Sequence, residues 1–182
     1  MTKNNIINSL RLISICTFIL FTVSGSMVFA DVAKIDSNFD GKMDQWRHTT
    51  ADGKIFKVEH DTNFDGNIDQ VEHFVGDKIL VKAEFDADKN GKMDQIQHYS
   101  DQGKLEKIEK DSKNTGKFDW NEKFDANGKV KRTEIDGNGD GKVDIWQYFD
   151  ENQKIKQTDY DTNFYDTTDR WDYFVNEKLE KV

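Results

Sequence analysis

Asp-Thr-Asn-Phe-Asp-Gly-Asn-Ile-Asp, residues 61–69, decides the fold, because the chain returns to the same pattern every 25 residues. Asp36, Asp61, Asp86, Asp111, Asp136 and Asp161 stand in strict register. Each is followed eight residues later by another aspartate: Asp44, Asp69, Asp94, Asp119, Asp144 and Asp169. A fixed period of this length marks a tandem array in which each unit is one small supersecondary structure.

The spacing within a unit has a chemical reading. A hard cation takes about 6–8 oxygens at roughly 2.3–2.6 Å, and a tight loop with acid or amide side chains at places 1, 3, 5 and 9 and a carbonyl at place 7 aims them at one centre. The candidate ligands of the first loop are Asp36, Asn38, Asp40, the Lys42 carbonyl and Asp44. In the second they are Asp61, Asn63, Asp65, the Asn67 carbonyl and Asp69, and in the third Asp86, Asp88, Asn90, the Lys92 carbonyl and Asp94. In the fifth they are Asp136, Asn138, Asp140, the Lys142 carbonyl and Asp144. Place 6 is glycine in all four, where the turn needs a backbone that a Cβ disfavours. Asp, Asn and Gly favour solvated turns on their own account; their repetition in register argues for the metal.

Two units depart from the pattern. The fourth has Lys113 and Thr115 where oxygen donors belong, so an ammonium opposes a metal there and the site is expected to stay empty. The sixth has Tyr165 at place 5 and Asp166 instead of glycine, the mark of an atypical end unit. A further acid precedes each later loop by two residues: Glu59, Glu84, Glu109, Glu134 and Asp159. These either complete the metal shell or oppose the lysine-rich segments around them.

Residues 1–30 read as a secretory signal. Lys3 and Arg11 precede an apolar run, and Val28-Phe29-Ala30 supplies a cleavage site after Ala30. This divides the chain into a signal, 1–30, and a six-unit repeat domain, 31–182, and points to a periplasmic, cell-surface or secreted location. Cys16, the one cysteine, lies in the signal, so disulfides do not hold the domain. Removing the signal with its two basic residues takes the net charge from −9 to −11. Such a surface repels nucleic acid and anionic membranes, and no later stretch is apolar enough to span a bilayer. Four divalent ions would bring the charge to −3, relieving self-repulsion.

Sixteen residues separate successive nine-residue loops, with turn signals near their middle: Ala51-Asp52-Gly53, Gly76-Asp77, Asp101-Gln102-Gly103 and Asp125-Ala126-Asn127-Gly128. Two helices do not fit there. Each unit therefore reads as loop, strand, turn, strand, and the fold class is all-β, an elongated antiparallel meander of hairpins. The absence of proline leaves each strand free to pair on both sides. A competing three-residue spacing, Ile68-Val71-Phe74 and Val143-Trp146-Phe149, suits a short helix after each loop. At 35% hydrophobic residues the core must be thin. It is expected on one aromatic face that includes Trp46, Trp146, Trp171, Phe74, Tyr99, Phe124 and Phe149. His48, His73 and His98 also fall 25 residues apart, which places them two strands, about 9.5 Å, from one another, too far to share a metal ion.

The loops 61–69 and 136–144 resemble the EF-hand-like calcium repeats of bacterial secreted proteins and the thrombospondin type 3 class, over residues 36–182. The resemblance implies Ca²⁺ as the cofactor and calcium-dependent structure in a surface or adhesive protein. The chain departs from thrombospondin repeats in lacking a second Asp loop per unit. It also lacks a consistent Glu at the twelfth place of an EF-hand loop, where Arg47, Glu72, Gln97, Glu122, Gln147 and Asp172 stand, and this points to weak affinity. The reading is a calcium-stabilised binding or scaffold module with a protein or glycan partner. The alternatives are a calcium buffer and a carbohydrate-binding protein using the aromatic face. No catalytic constellation appears, so an enzyme is not expected.

Overall fold

The computed structural model describes residues 31–76 and 78–182. The expected signal and the turn residue Asp77 lie outside the described residues. Thirteen strands form one antiparallel sheet in strict chain order. They are β1 (Asp31–Ile35), β2 (Gln45–Thr49), β3 (Ile55–His60), β4 (Gln70–Val75), β5 (Ile79–Phe85), β6 (Gln95–Tyr99) and β7 (Leu105–Lys110). The series continues with β8 (Trp120–Phe124), β9 (Val130–Ile135), β10 (Ile145–Phe149), β11 (Ile155–Tyr160), β12 (Arg170–Val175) and β13 (Lys178–Lys181). The protein is thus all-β, a meander of repeated hairpins.

Val71 and Phe74 fall in β4, and Trp146 and Phe149 in β10, so the three-residue spacing does not make a helix. A helix of one and a half turns leaves most of its backbone groups unpaired, whereas a strand between two neighbours pairs them on both sides. Each hairpin closes on a tight turn. In the first, Thr50 and Lys54 pair (Thr50 N–H to Lys54 O, 2.8 Å), and Gly53 holds a left-handed φ of +79°.

The apolar residues do not collect on one face. Residues paired across an antiparallel ladder share a face, so the register places Trp46, Glu59, Val71, Glu84 and Ile96 together on one side. Arg47, Val58, Glu72, Ala83 and Gln97 share the other. Trp46 and Trp146 belong to the first face, while Tyr99, which donates to Gln97, belongs to the second. The expected single aromatic face is therefore two partial ones. The cause is plain strand alternation, since residues three apart on one strand, as Val71 and Phe74 are, lie on opposite faces. The bulge in each hairpin sits on the second strand, where Phe56 is the extra residue opposite His48 and Thr49. Past the bulges a second apolar stripe forms from cross-strand pairs such as Phe74 with Leu80, Tyr99 with Leu105, and Phe124 with Val130.

Among the described residues the buried apolar side chains are Val58 and Ala83. The other buried positions are mostly aspartates of the loops. A single sheet with two open faces has little apolar area to draw on, so its stability rests on ladder hydrogen bonds, cross-strand pairs and the loop carboxylates.

Candidate metal centre

All six loops lie along one long edge of the sheet and are tied to it in the same way. The ninth-place N–H bonds back to the strand before the loop (Asp44 to Ile35 O, 2.9 Å; Asp69 to His60 O, 2.9 Å). The first-place N–H of the next loop then bonds to that aspartate's carbonyl (Asp61 to Asp44 O, 2.9 Å; Asp86 to Asp69 O, 2.9 Å). Successive loops therefore stack with the spacing of two strands, about 9.5 Å.

Inside the second loop, Asp61 accepts from the N–H of Asp65 (3.1 Å) and Gly66 (2.8 Å). Asn63 Oδ1 accepts from Asp65 N–H at 3.0 Å, and Asp65 accepts from Asn67 N–H at 2.8 Å. Asp69 accepts from the N–H groups of Thr62 (3.0 Å) and Asn63 (3.2 Å) and from the Thr62 hydroxyl (2.5 Å). The first loop repeats this around Asp36, Asn38, Asp40 and Asp44, and the fifth around Asp136, Asn138, Asp140 and Asp144. The position-7 residues Lys42, Asn67, Lys92 and Lys142 contribute their N–H groups to these turns. The carboxylates thus shape their own loop before any ion arrives.

The third loop brings its acids closest. Carboxylate oxygens of Asp86, Asp88 and Asp94 lie within 4.8 Å of one another, an acidic cluster able to hold a metal ion. Asn90 braces Asp88 through its amide, 2.9 Å, and Asp86 accepts from Asn90 and Gly91 N–H. Oxygen donors alone, in a loop closed by a glycine at φ +89°, fit a hard divalent cation better than a transition metal. In the first, second and fifth loops the Asn takes the third place and an Asp the fifth, so each loop keeps three carboxylates and one amide with the two exchanged.

The fourth loop does not fit. Lys113 bonds the carbonyls of Asp136 and Gly137, both at 3.0 Å, and lies 3.4 Å from Asp119. An ammonium of the chain itself bridges the fourth and fifth loops. In the sixth loop Asp166, at the glycine's place with φ +64°, pairs with Lys142 of the fifth loop at 2.6 Å.

Four of the five acids that precede the loops are engaged by cations of the sheet, and the fifth, Asp159, accepts from the Gln157 amide at 2.6 Å. Glu59 bonds Lys57 (2.7 Å) and His48 (2.6 Å), and Glu84 bonds Lys82 (3.0 Å) and His73 (2.8 Å). Glu109 pairs with Lys107 and His98, and Glu134 with Lys123 and Arg132. Burial pushes Glu59, Glu84 and Glu109 up, but the hydrogen bonds from lysine and histidine outweigh it and hold all three below the ordinary range. His48, His73 and His98 accordingly stand in a ladder across one face.

Two kinds of contact escape the sequence pattern. Hydroxyls at place 2 cap the ninth-place acid (Ser112 to Asp119, 2.8 Å; Thr162 to Asp169, 2.8 Å), and their Ser/Thr recurrence was the available signal. Lys89 reaches back from the third loop to Asp69 at 3.0 Å, a contact visible only once the loops stack.

Among the described residues no helix is long and apolar enough to cross a membrane. No protein-family model and no curated protein matches the chain. One similar solved structure is that of accessory secretory proteins 1, 2 and 3 in Streptococcus pneumoniae, 13% identical with a TM-score of 0.35. The match covers 58% of this chain and 19% of that one, so the chain spans about a fifth of its length. A likeness of that extent carries neither fold nor function across.

Proposed function

We propose that the protein is a secreted calcium-binding repeat protein in which calcium stabilises a binding or scaffold module at the cell surface or outside the cell. The observation that carries the reading is the convergence of Asp86, Asp88 and Asp94 in a loop whose pattern recurs in the first, second and fifth units. Place-1, place-3, place-5 and place-9 oxygens, with the carbonyl at place 7, would hold the ion. Calcium supplies positive charge there, offsetting carboxylate repulsion along an edge that the thin sheet cannot offset by apolar burial. The chain's own residues do the rest: the place-6 glycine closes the loop, and backbone N–H groups orient the place-1 and place-9 carboxylates.

Thermal unfolding in calcium, in magnesium and in chelator tests this. The melting temperature should rise with calcium concentration, and Asp88→Ala should blunt the rise. Calcium uptake with an unchanged melt would instead describe a buffer. No response to calcium at millimolar concentration would refute the reading.

A further inference from the structure

On the turn edge, opposite the loops, the ladder between neighbouring hairpins stops short of the turns. The β9–β10 pairing ends at Arg132 with Tyr148, and the β7–β8 pairing at Lys107 with Lys123. Neighbouring hairpins therefore leave a notch between their turns, and two of these notches are cavities of about 310 and 320 Å³ lined at the same repeat places. Val130, Phe149 and Asp150 line one as Leu105, Phe124 and Asp125 line the other. A lysine bridges both alike: Lys129 bonds the Glu151 carbonyl at 2.6 Å, and Lys104 the Ala126 carbonyl at 3.4 Å.

In the first of the two the chain supplies its own ligand. The Gln153 amide accepts from Val130 N–H at 2.8 Å and donates to the Val130 carbonyl at 3.2 Å, making both bonds that a neighbouring strand would make. Gln153 holds φ +63° where other turns have Gly53, Gly103 and Gly128 at +79°, +73° and +78°. A glutamine at the glycine's place costs strain, and that strain sets the amide in the notch. In the second notch the same place is Gly128, where an added Cβ would meet nothing within 4 Å. Leu105 stands opposite Tyr99 as Val130 stands opposite Phe124, so its N–H and C=O face the notch as those of Val130 do. No strand reaches them on that side among the described residues.

We propose that the notch beside Leu105 binds the side-chain amide of a glutamine carried on a basic segment of a partner protein. Gln153 shows the mode: one group accepts from a backbone N–H and donates to the carbonyl of the same residue. A primary carboxamide carries that acceptor and donor side by side on one carbon. A peptide or acetamido group holds its N–H trans to its oxygen and does not present both. Phe124 and Leu105 give the glutamine's stem an apolar seat. Charge selects what flanks it. Asp101 and Glu106, both exposed, line this notch, whereas Ala126 and Lys131 stand at those places in the next unit. Such a rim favours lysine or arginine beside the glutamine. The site gives the binding module a partner chemistry, and it rests on no calcium ion.

The test follows the backbone amide resonances of the protein, in calcium and in chelator, as a peptide is added. The peptide is Lys-Gln-Lys with acetyl and N-methylamide ends, so that its glutamine carries the one primary carboxamide. Leu105 N–H should shift and saturate at millimolar peptide, while Val130 N–H, already bonded, should not move. The same peptide with methionine for glutamine should bind about tenfold more weakly, having lost two hydrogen bonds. Gly128→Gln should fill the notch from within and abolish the Leu105 response. Gln153→Gly should speed hydrogen exchange at Val130 about tenfold, and because glycine suits that φ, this arm does not depend on the first variant folding. No response at Leu105, an equal response to the methionine peptide, a response that survives Gly128→Gln, or an unchanged Val130 exchange overturns the inference. So does an equal response to adenosine, whose ring also sets a donor beside an acceptor. The measurement in chelator separates failure here from failure of the calcium reading.

Discussion

Replacing Asp69 with Ala should destabilise the protein by about 3 kcal/mol even with all metal chelated. Its carboxylate, 3% exposed, accepts from Thr62 N–H, Asn63 N–H, the Thr62 hydroxyl and the Lys89 ammonium. Charge-assisted bonds of this kind contribute about 1.5–3 kcal/mol each in protected sites, but the loop lies at an edge where water can reach the freed donors. About 1 kcal/mol for each of the three Thr62 and Asn63 donors is the fitting scale. The lysine, half-exposed, adds little. Asp69→Asn keeps an acceptor for the two N–H groups and should cost only about 1 kcal/mol. Urea unfolding of the three proteins in chelator measures both. A loss below about 1 kcal/mol for the alanine variant would show that the carboxylate is held ready for a ligand and does not shape the loop.

Phe39→Gly should stabilise the isolated molecule by up to about 1 kcal/mol, because glycine adopts φ +63° without strain and the exposed ring forfeits no packing; thermal unfolding in dilute solution checks it. Acid should destabilise the fold in chelator. Asp125 and Asp150 are held below the usual aspartate range, chiefly by the N–H groups of Lys129 and Lys154, and Glu84 below the usual glutamate range by Lys82 and His73 against its burial. Groups lowered in the folded state contribute above their unfolded values, about 4, and lose that contribution as pH falls through the folded ones. Urea midpoints should therefore decline steadily below pH 4, and a flat profile would contradict the pairing. Finally, Lys113→Asn with Thr115→Asp should give the fourth loop a donor set and one more calcium ion by calorimetry. In chelator the same variant should be less stable, since it removes the ammonium from the Asp136 and Gly137 carbonyls.

The architecture was legible because one period carries it. An aspartate every 25 residues fixes the loops, a glycine or Asp/Asn signal midway fixes the turns, and what remains is long enough only for two strands. The loops' internal bonding followed from the same residues, as Asp61, Asn63 and Asp65 each accept the turn N–H groups that their short side chains reach. The distribution of aromatics did not follow. Trp46 stands at the repeat place of Val71, three residues before Phe74, so alternation along Gln-Val-Glu-His-Phe, residues 70–74, puts Trp46 and Phe74 on opposite faces. The expectation of one aromatic face passed over that odd spacing. Lys113 was read as a charge opposing its own loop, whereas it bridges to the next one. That role, like the reach of Lys89 to Asp69, depends on the stacking of loops and is written in no single unit.

The most direct test of the account is a calcium titration of the protein by calorimetry, with stoichiometry as the readout. About four ions should bind weakly, one for each of the first, second, third and fifth loops. Absence of binding at millimolar calcium would contradict the central claim, and six equivalent sites would contradict the exclusion of the fourth and sixth loops.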